Sequence, residues 1–121
     1  MYVNGYVIGV PENRKAEYER MANLFVEVIS DHGVLEVCET WEADVPDGKL
    51  TDFRRAVNAE PGERIVFSWV IWPDRETADR AHEVMMTDPR MSGIAEMPFD
   101  GKRMIFGGFE PIVRYRLEDR E

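Results

Sequence analysis

The order of strands and helices along the chain predicts an α+β fold. Apolar residues alternate in four segments and recur every three or four residues in two longer ones. The segments follow one another as strand, helix, strand, strand, helix, strand. This is the split βαβ pattern of the ferredoxin-like fold, a sandwich in which the first and third strands are central in an antiparallel sheet and both helices cover one face. The 121 residues contain no repeat, linker or low-complexity tract, so we expect one domain over residues 1–121.

The first strand and the first helix are predicted from the N-terminal third. Tyr2 to Val10 alternates around glycines and ends at Pro11, as strands do. Asn13 to Asp31 has the pattern of an amphipathic helix, and Gly33 after it is a typical C-terminal stop. The recurring apolar residues of this helix are Tyr18, Met21, Ala22, Phe25, Val28 and Ile29.

The second and third strands are predicted over Val34–Trp41 and Arg64–Trp72. The second strand alternates, with Leu35, Val37 and Trp41 on one side and Glu36, Cys38 and Thr40 on the other. The third strand has Ile65, Phe67, Trp69 and Ile71 on one face and Val66, Ser68, Val70 and Trp72 on the other. A strand that is apolar on both faces must be covered on both faces.

The second helix is predicted to begin after Pro73 and Asp74. Its inner face consists of Ala78, Ala81, His82 and Met85. Asp88 followed by Pro89 predicts a further short helical turn, with the aspartate as N-cap and the proline in the first helical position.

The last strand, predicted over Met104–Val113, contains the adjacent glycines Gly107 and Gly108. Glycine inside a strand indicates a bulge or the close approach of another backbone or a ligand. The preceding turn brings Asp100, Lys102 and Arg103 to the start of the strand. This arrangement is compatible with a small anion site and equally with a subunit contact.

The connection Glu42–Glu63 is longer than structureless loops usually are in compact domains. Turn signals stand near both of its ends, at Pro46-Asp47-Gly48 and Pro61-Gly62. Between them, Leu50–Val57 is predicted to form either a short extra strand or an arm that reaches a partner.

The two-faced third strand also predicts how the protein assembles. Two helices on one face of the sheet leave its other face bare, and that face carries large aromatic residues of the third strand. We therefore expect a homodimer in which two such faces pack against each other around a two-fold axis.

Composition excludes several classes of function. The net charge is −9, with 24 acids against 15 bases, so we expect no nucleic-acid or membrane partner. No apolar run approaches the ~20 residues of a membrane span, and the N-terminus lacks the basic region of a secretory signal. The single cysteine, Cys38, cannot form an internal disulfide. These features predict a cytoplasmic protein.

Several strings in this order resemble the YbaA-like family of small bacterial proteins of unknown function, in the dimeric α/β-barrel superfamily. The strings are MYVNGYVIGVP, DVPDGK, TDFRRAV, VFSWVIWP, DPRM and MPFDGKRMIFGGF, and they cover nearly the whole chain. The resemblance implies a ferredoxin-like fold and a homodimer with facing sheets, and it supplies no established activity. The chain departs from the family pattern at Asn4 and at Glu42-Ala43, so the resemblance assigns no acid role at positions 4 or 43.

Candidate site residues come from the irregular segments, where scaffolds tend to carry function. We predict that His32 or Asp100 moves protons. The residues predicted to hold a ligand are Arg55, Arg90, Lys102, Arg103 and Trp41. The same charged residues, together with Asp44 and Asp47, are also compatible with a purely structural network of ion pairs. His82 is compatible with a satisfied, half-buried residue. We predict no metal and no cofactor, because the two histidines have no acid at ligand spacing.

Two functions remain open from the sequence. In one, the protein is a dimeric barrel with a small-molecule pocket between sheet and helices, performing cofactor-free chemistry on a small anionic or aromatic compound. In the other, it is a non-catalytic dimeric structural or stress-associated binding module.

Overall fold

The computed structural model describes residues 1–94 and 96–119. Its α-helices and strands are, in order, β1 (Tyr2–Pro11), α1 (Lys15–Ile29), β2 (Glu36–Trp41), α2 (Phe53–Ala56), β3 (Glu63–Trp72), α3 (Arg75–Met85) and β4 (Ile105–Phe109). Short 3-10 turns occupy Glu12–Arg14, Ser30–His32, Pro89–Gly93 and Leu117–Asp119. Within the described residues, none of the helices combines the length and apolar character needed to cross a bilayer.

The four strands form one antiparallel sheet in the order β2-β3-β1-β4. β1 pairs with β3 along its whole length, from Tyr2 opposite Trp72 to Pro11 opposite Glu63. The first and third strands are therefore central, and the predicted ferredoxin-like fold is confirmed. The sheet of a single chain is open and does not close into a barrel.

The core lies between the sheet and the helices α1 and α3, in two clusters of buried side chains. One cluster consists of Ile8, Val10, Tyr18, Ala22 and Val66, and the other of Ile29, Val70, Trp72, Ala78 and Ala81. The Tyr6 ring, on the central strand, packs against both. In the second cluster the fully buried Trp72 donates its indole N–H to Asn4 Oδ1 at 2.8 Å.

The opposite face of the sheet carries an apolar surface, called the open face below. Its main side chains are Val3, Val7, Phe67, Trp69, Ile105 and Phe109, and they line a shallow groove of about 530 Å³. Phe67 is 45% and Phe109 61% exposed. These values are high for aromatic residues, and among the described residues α1 and α3 both pack on the other face of the sheet.

The segment Leu50–Val57 differs from the extra strand considered from the sequence, because its middle forms α2. Asp52 caps this helix by accepting the Arg55 backbone N–H at 2.8 Å. Val57, at the end of the segment, is fully buried, and the Phe53 ring meets Phe67 edge-on with centroids 6.0 Å apart. The segment thus packs on the open face of its own chain, and a contact with a partner stays a prediction.

β4 is shorter than the predicted Met104–Val113. Its register with β1 ends at Phe109 opposite Val3, and Pro111, which has no N–H to donate, follows two residues later. Beyond it, Ile112 is 96% exposed. Within β4, a Cβ on Gly108 would collide with the phenol of Tyr2. At Gly108, the group that comes close to the strand, as predicted for these glycines, is therefore a side chain.

Candidate functional site

The structure places Asp100 and Arg103 in an ion-pair network that fastens the long connection to the turn before β4. The Arg103 guanidinium donates to both carboxylate oxygens of Glu63, at 2.7 and 2.6 Å, and to Asp100 at 3.2 Å. It also donates to the backbone oxygen of Asn58 at 2.9 Å. The hydrogen bonds from Arg103 hold the pKa of Glu63 below its usual value. The side chain of Lys102, in the same turn, is exposed.

Arg55 and Arg90 lie in two other turns. Arg55 donates to the backbone oxygen of Gly48 at 2.7 Å, in the connection before α2. Arg90 donates to Asp88 and to Asp31, both at 2.9 Å, and thereby ties the turn after α3 to the end of α1. Hydrogen bonds from Arg90 lower the pKa of Asp88 to about 2.

The remaining predicted residues, His32 and Trp41, lie apart from these networks. His32 ends the turn that follows α1 and is half-buried. Trp41 ends β2, and the Lys15 ammonium lies 5.2 Å from the centre of its ring. The predicted site residues are thus distributed over separate parts of the surface, and their roles in catalysis and ligand binding stay predictions.

A different group of side chains converges on a cavity of about 220 Å³ between the sheet, α1, α3 and the segment after α3, called the inner cavity below. Five of its lining residues are methionines: Met21, Met85, Met91, Met97 and Met104. Its aromatic residues are Tyr6, Tyr18, Phe25 and Phe99, and its other polar side chains are Glu39, Ser68 and His82. The described lining is therefore mostly apolar, with a few polar groups.

A second cavity, of about 380 Å³, lies beside the first and is called the outer cavity. Tyr18, Ala22 and Glu39 line both. Trp41 and Lys15 line the outer cavity, so Trp41 lies on the same cavity wall as Glu39. The outer cavity is the more polar of the two.

Glu39 is the central polar group of the inner cavity. The hydroxyl of Tyr18 donates to Glu39 Oε1 at 2.7 Å. Burial raises the pKa of the Glu39 carboxyl, while hydrogen bonds from Tyr18 and Ser68 act in the opposite direction. Burial, together with the negative charge of Glu39, raises the pKa of Tyr6 to about 12 and also raises that of Tyr18. Both phenols are therefore protonated at neutral pH.

Two other carboxylates with little exposure differ from Glu39, because each has an arginine partner in the described part of the chain. Glu42 and Glu63 have side chains only 8% and 6% exposed, and each is paired with arginine. The pKa of each is lowered. Among the described residues, the groups that perturb the pKa of Glu39 include no cation, and this pKa is raised instead of lowered. A carboxylate with a pKa raised by burial is a candidate for a functional site.

His82 contributes a nitrogen without a partner. The inner face of α3 carries its ring, which meets Trp72 edge-on with centroids 5.7 Å apart. Within residues 1–94 and 96–119, its Nε2 atom is buried and has no hydrogen-bond partner. Burial lowers the pKa of the imidazole. The sequence is compatible with a His82 whose nitrogens are hydrogen-bonded. In the described part of the structure, its Nε2 atom has no such partner.

Sequence reasoning misses Glu39, Tyr6, Tyr18 and Ser68 as site residues. A signal for two of them is present in the strands. Glu39 lies between Val37 and Trp41 on the buried side of β2, where an apolar residue is expected, and Ser68 interrupts the buried side of β3 in the same way. Polar residues at such positions are typical of functional sites.

The described residues offer no metal centre. No group of three or more His, Cys, Asp or Glu side chains among residues 1–94 and 96–119 is arranged to hold a metal ion.

Comparison with solved structures gives similarity at the level of the fold. The chain is similar to SnoaB, a cofactor-independent oxygenase from Streptomyces nogalater, with a TM-score of 0.57 and 12% identity over 93% of this chain and 95% of that one. It is also similar to a dimeric ferredoxin-like protein from an uncultured marine organism, with a TM-score of 0.52 and 10% identity over 96% and 99% of the two chains. At these identities the similarity shows the fold alone.

Comparison of sequences shows the family. The chain is 51% identical over 113 residues to the "Uncharacterized protein YbaA" of Escherichia coli K12, covering 93% of this chain and 97% of that protein. The protein of the same name from Shigella flexneri gives the same figures. Residues 1–101 also match a family described as "Protein of unknown function (DUF1428)". The resemblance stated from the sequence is thus confirmed, and the chain belongs to the DUF1428 family.

Proposed function

We propose that the protein binds a small, uncharged and mostly apolar compound in the inner cavity, and that Glu39 exchanges a proton with it without a cofactor. The observation that carries the proposal is the carboxylate of Glu39, half-buried among apolar side chains, hydrogen-bonded by Tyr18 and without an ion pair to Lys or Arg among the described residues.

The lining of the cavity favours an aromatic ligand over an anionic one. No Lys or Arg is among the described residues that line the inner cavity. An anion there would meet the charge of Glu39 in a poorly solvated place, which is unfavourable. Methionine thioethers and aromatic rings, which both line the cavity, make favourable contacts with aromatic compounds. The volume lies below the range of drug-sized pockets, which supports a ligand of one or two rings.

The reaction that suits these groups is transfer of a proton from an acidic C–H or O–H group. Glu39 accepts the proton and returns it to the same or a neighbouring atom, which amounts to exchange or isomerisation. Tyr18 holds the carboxylate in place through its 2.7 Å hydrogen bond. The similarity to a cofactor-independent oxygenase adds no argument for this step, because at 12% identity it concerns the fold alone.

The proposal includes a homodimer that covers the open face. Phe67 and Phe109 are substantially exposed there, and the described chain after β4 adds further exposed apolar side chains: Ile112, Val113, Tyr115 and Leu117. Exposed apolar surface of this extent on a small domain is typical of an interface. A second copy related by a two-fold axis is the simplest partner.

A non-catalytic dimeric module is the second candidate. The observation in its favour is that Arg103, Arg55 and Arg90 are all engaged within the chain by carboxylates or backbone oxygens. Such a module needs no carboxylate with a raised pKa in an apolar cavity, which is why we prefer the first proposal.

Methyl NMR of protein labelled with ¹³C at the methionine methyl groups tests the proposal. The chain has seven methionines, five of which line the inner cavity, while Met1 and Met86 do not and serve as internal controls. We expect 2-naphthol and the ketone 2-tetralone to shift the cavity signals and benzoate to leave them unchanged. No response to any of these compounds, or a response to benzoate alone, would overturn the binding proposal.

Proton exchange is measured in the same samples. We expect the wild-type protein to accelerate deuterium exchange at the acidic carbon of 2-tetralone, and Glu39→Gln to bind it but lose most of the acceleration. Glu27→Gln, on the exposed side of α1, is the matched control and should exchange like the wild type. Equal rates for Glu39→Gln and wild type would refute the role of Glu39.

A further inference from the structure

We infer that His82 Nε2 is a second polar anchor of the inner cavity, which hydrogen-bonds a hydroxyl or carbonyl group of the ligand. The ligand class that follows is an aromatic or otherwise apolar frame with two polar groups, one for Glu39 and one for His82. This inference rests on the proposed function, because it concerns the same cavity.

The unpaired nitrogen is the observation that carries the inference. Nearly all buried polar side-chain atoms in folded proteins have a hydrogen-bond partner. Among the described residues, His82 Nε2 is buried without one, although its residue lines a cavity. A buried nitrogen of this kind destabilises the empty protein, and a ligand group that pairs with it removes the penalty.

Two groups near His82 do not pair with its Nε2 atom. Trp72, the ring in contact with His82, uses its only side-chain donor on Asn4 Oδ1 at 2.8 Å. Asp79 lies one turn earlier on α3 but on the exposed side of that helix. The imidazole is therefore held by packing rather than by hydrogen bonding at Nε2.

The chemistry of a neutral imidazole sets the ligand group. Burial favours the neutral ring, whose Nε2 donates in one tautomer and accepts in the other. A hydroxyl group fits both tautomers, and a carbonyl group fits the tautomer in which Nε2 donates. A carboxylate beside Glu39 is unfavourable in either case. Since Glu39 comes from β2 and His82 from α3, a ligand bonded to both connects the sheet layer with the helix layer.

The test uses pairs of compounds that differ by one hydroxyl group, such as 2-naphthol and a set of dihydroxynaphthalenes. Imidazole nitrogens are followed by ¹⁵N NMR, and the chain has only two histidines, so His32 is the internal control. We expect at least one dihydroxy compound to shift the His82 Nε2 signal and to bind more tightly than 2-naphthol.

Substitution gives the second readout. His82→Phe keeps a ring against Trp72 and removes the nitrogen, so we expect it to weaken the preferred dihydroxy compound by about tenfold and to leave 2-naphthol unchanged. His82→Gln, which restores a hydrogen-bonding group, should recover part of the loss and is the variant to use if His82→Phe does not fold.

The outcomes separate this inference from the proposed function. Suppose that the methionine signals of the cavity respond to ligands but the His82 Nε2 signal does not, and that the His82 variants bind 2-naphthol and the dihydroxy compounds with unchanged relative affinity. The inference is then wrong and the proposed function stands. If neither 2-naphthol nor any dihydroxynaphthalene shifts the methionine signals of the cavity, both the inference and the proposed function are wrong.

Discussion

Glu39 and Glu63 are carboxylates in neighbouring strands whose pKa values move in opposite directions. Arg103 donates to both oxygens of Glu63, while burial dominates at Glu39. The opposite directions of the two pKa shifts thus arise at single residues: an arginine partner lowers the pKa of Glu63, and burial raises that of Glu39. The two opposite pKa shifts also predict opposite effects of pH on the stability of the protein.

At this scale we predict that Glu39→Gln stabilises the protein at pH 8. The folded pKa of Glu39 lies above that of the unfolded chain, so the ionised form costs stability at high pH, and the cost disappears as the pH falls through the raised pKa. Thermal melts should show a gain of a few degrees at pH 8 that vanishes near pH 4. Glu63→Gln is the matched control with the opposite sign, because its lowered pKa gives stability above pH ~4.5 that is lost on acidification. A lower melting temperature for Glu39→Gln at pH 8 would contradict the prediction.

At the scale of elements, β1 and β3 could be predicted from the sequence and α2 could not. Alternation along Arg64–Trp72 is a local property, and it indicated both the central position and the bare second face of that strand. The helix α2 depends on the Asp52 cap and on the contact of Phe53 with Phe67, which lies far along the chain. A pocket between sheet and helices is one of the two hypotheses from the sequence, but Glu39 and Ser68 in the lining of the inner cavity are not predicted, since its wall is assembled from separate elements.

The connection between β2 and β3 provides the prediction for this scale. Arg103 and Glu63 have side chains only 16% and 6% exposed, and removing one partner of a buried pair leaves the other uncompensated. We expect Arg103→Met to lower the free energy of unfolding by about 3 kcal/mol in urea denaturation. The double variant with Glu63→Met should recover much of this.

Arg75→Met is the control, because Arg75 and its partner Asp79 have side chains 75% and 65% exposed, and its loss should cost under about 1 kcal/mol. Should Arg103→Met keep its stability and yet lose ligand binding, the ligand role predicted for Arg103 from the sequence would be favoured over the structural one.

For the whole molecule, the open face determines the assembly that we expect. Native mass spectrometry should give twice the chain mass of 14.1 kDa. The double variant Phe67→Lys and Phe109→Lys should give a single chain, because it introduces two charges into the apolar face. Met86→Lys, at a position 83% exposed directly after α3 on the helix side of the sheet, is the control and should stay a dimer. A single-chain mass for the wild type would refute the homodimer.

The core between sheet and helices consists of two clusters, and Tyr6 packs against both. An inner cavity of about 220 Å³ beside them means that packing between sheet and helices is incomplete there. A compound that fills this space binds the folded state and not the unfolded one, so it raises stability by mass action, by about 2.7 kcal/mol at a concentration one hundred times Kd. The melting temperature is therefore an assay for compounds that bind in this cavity.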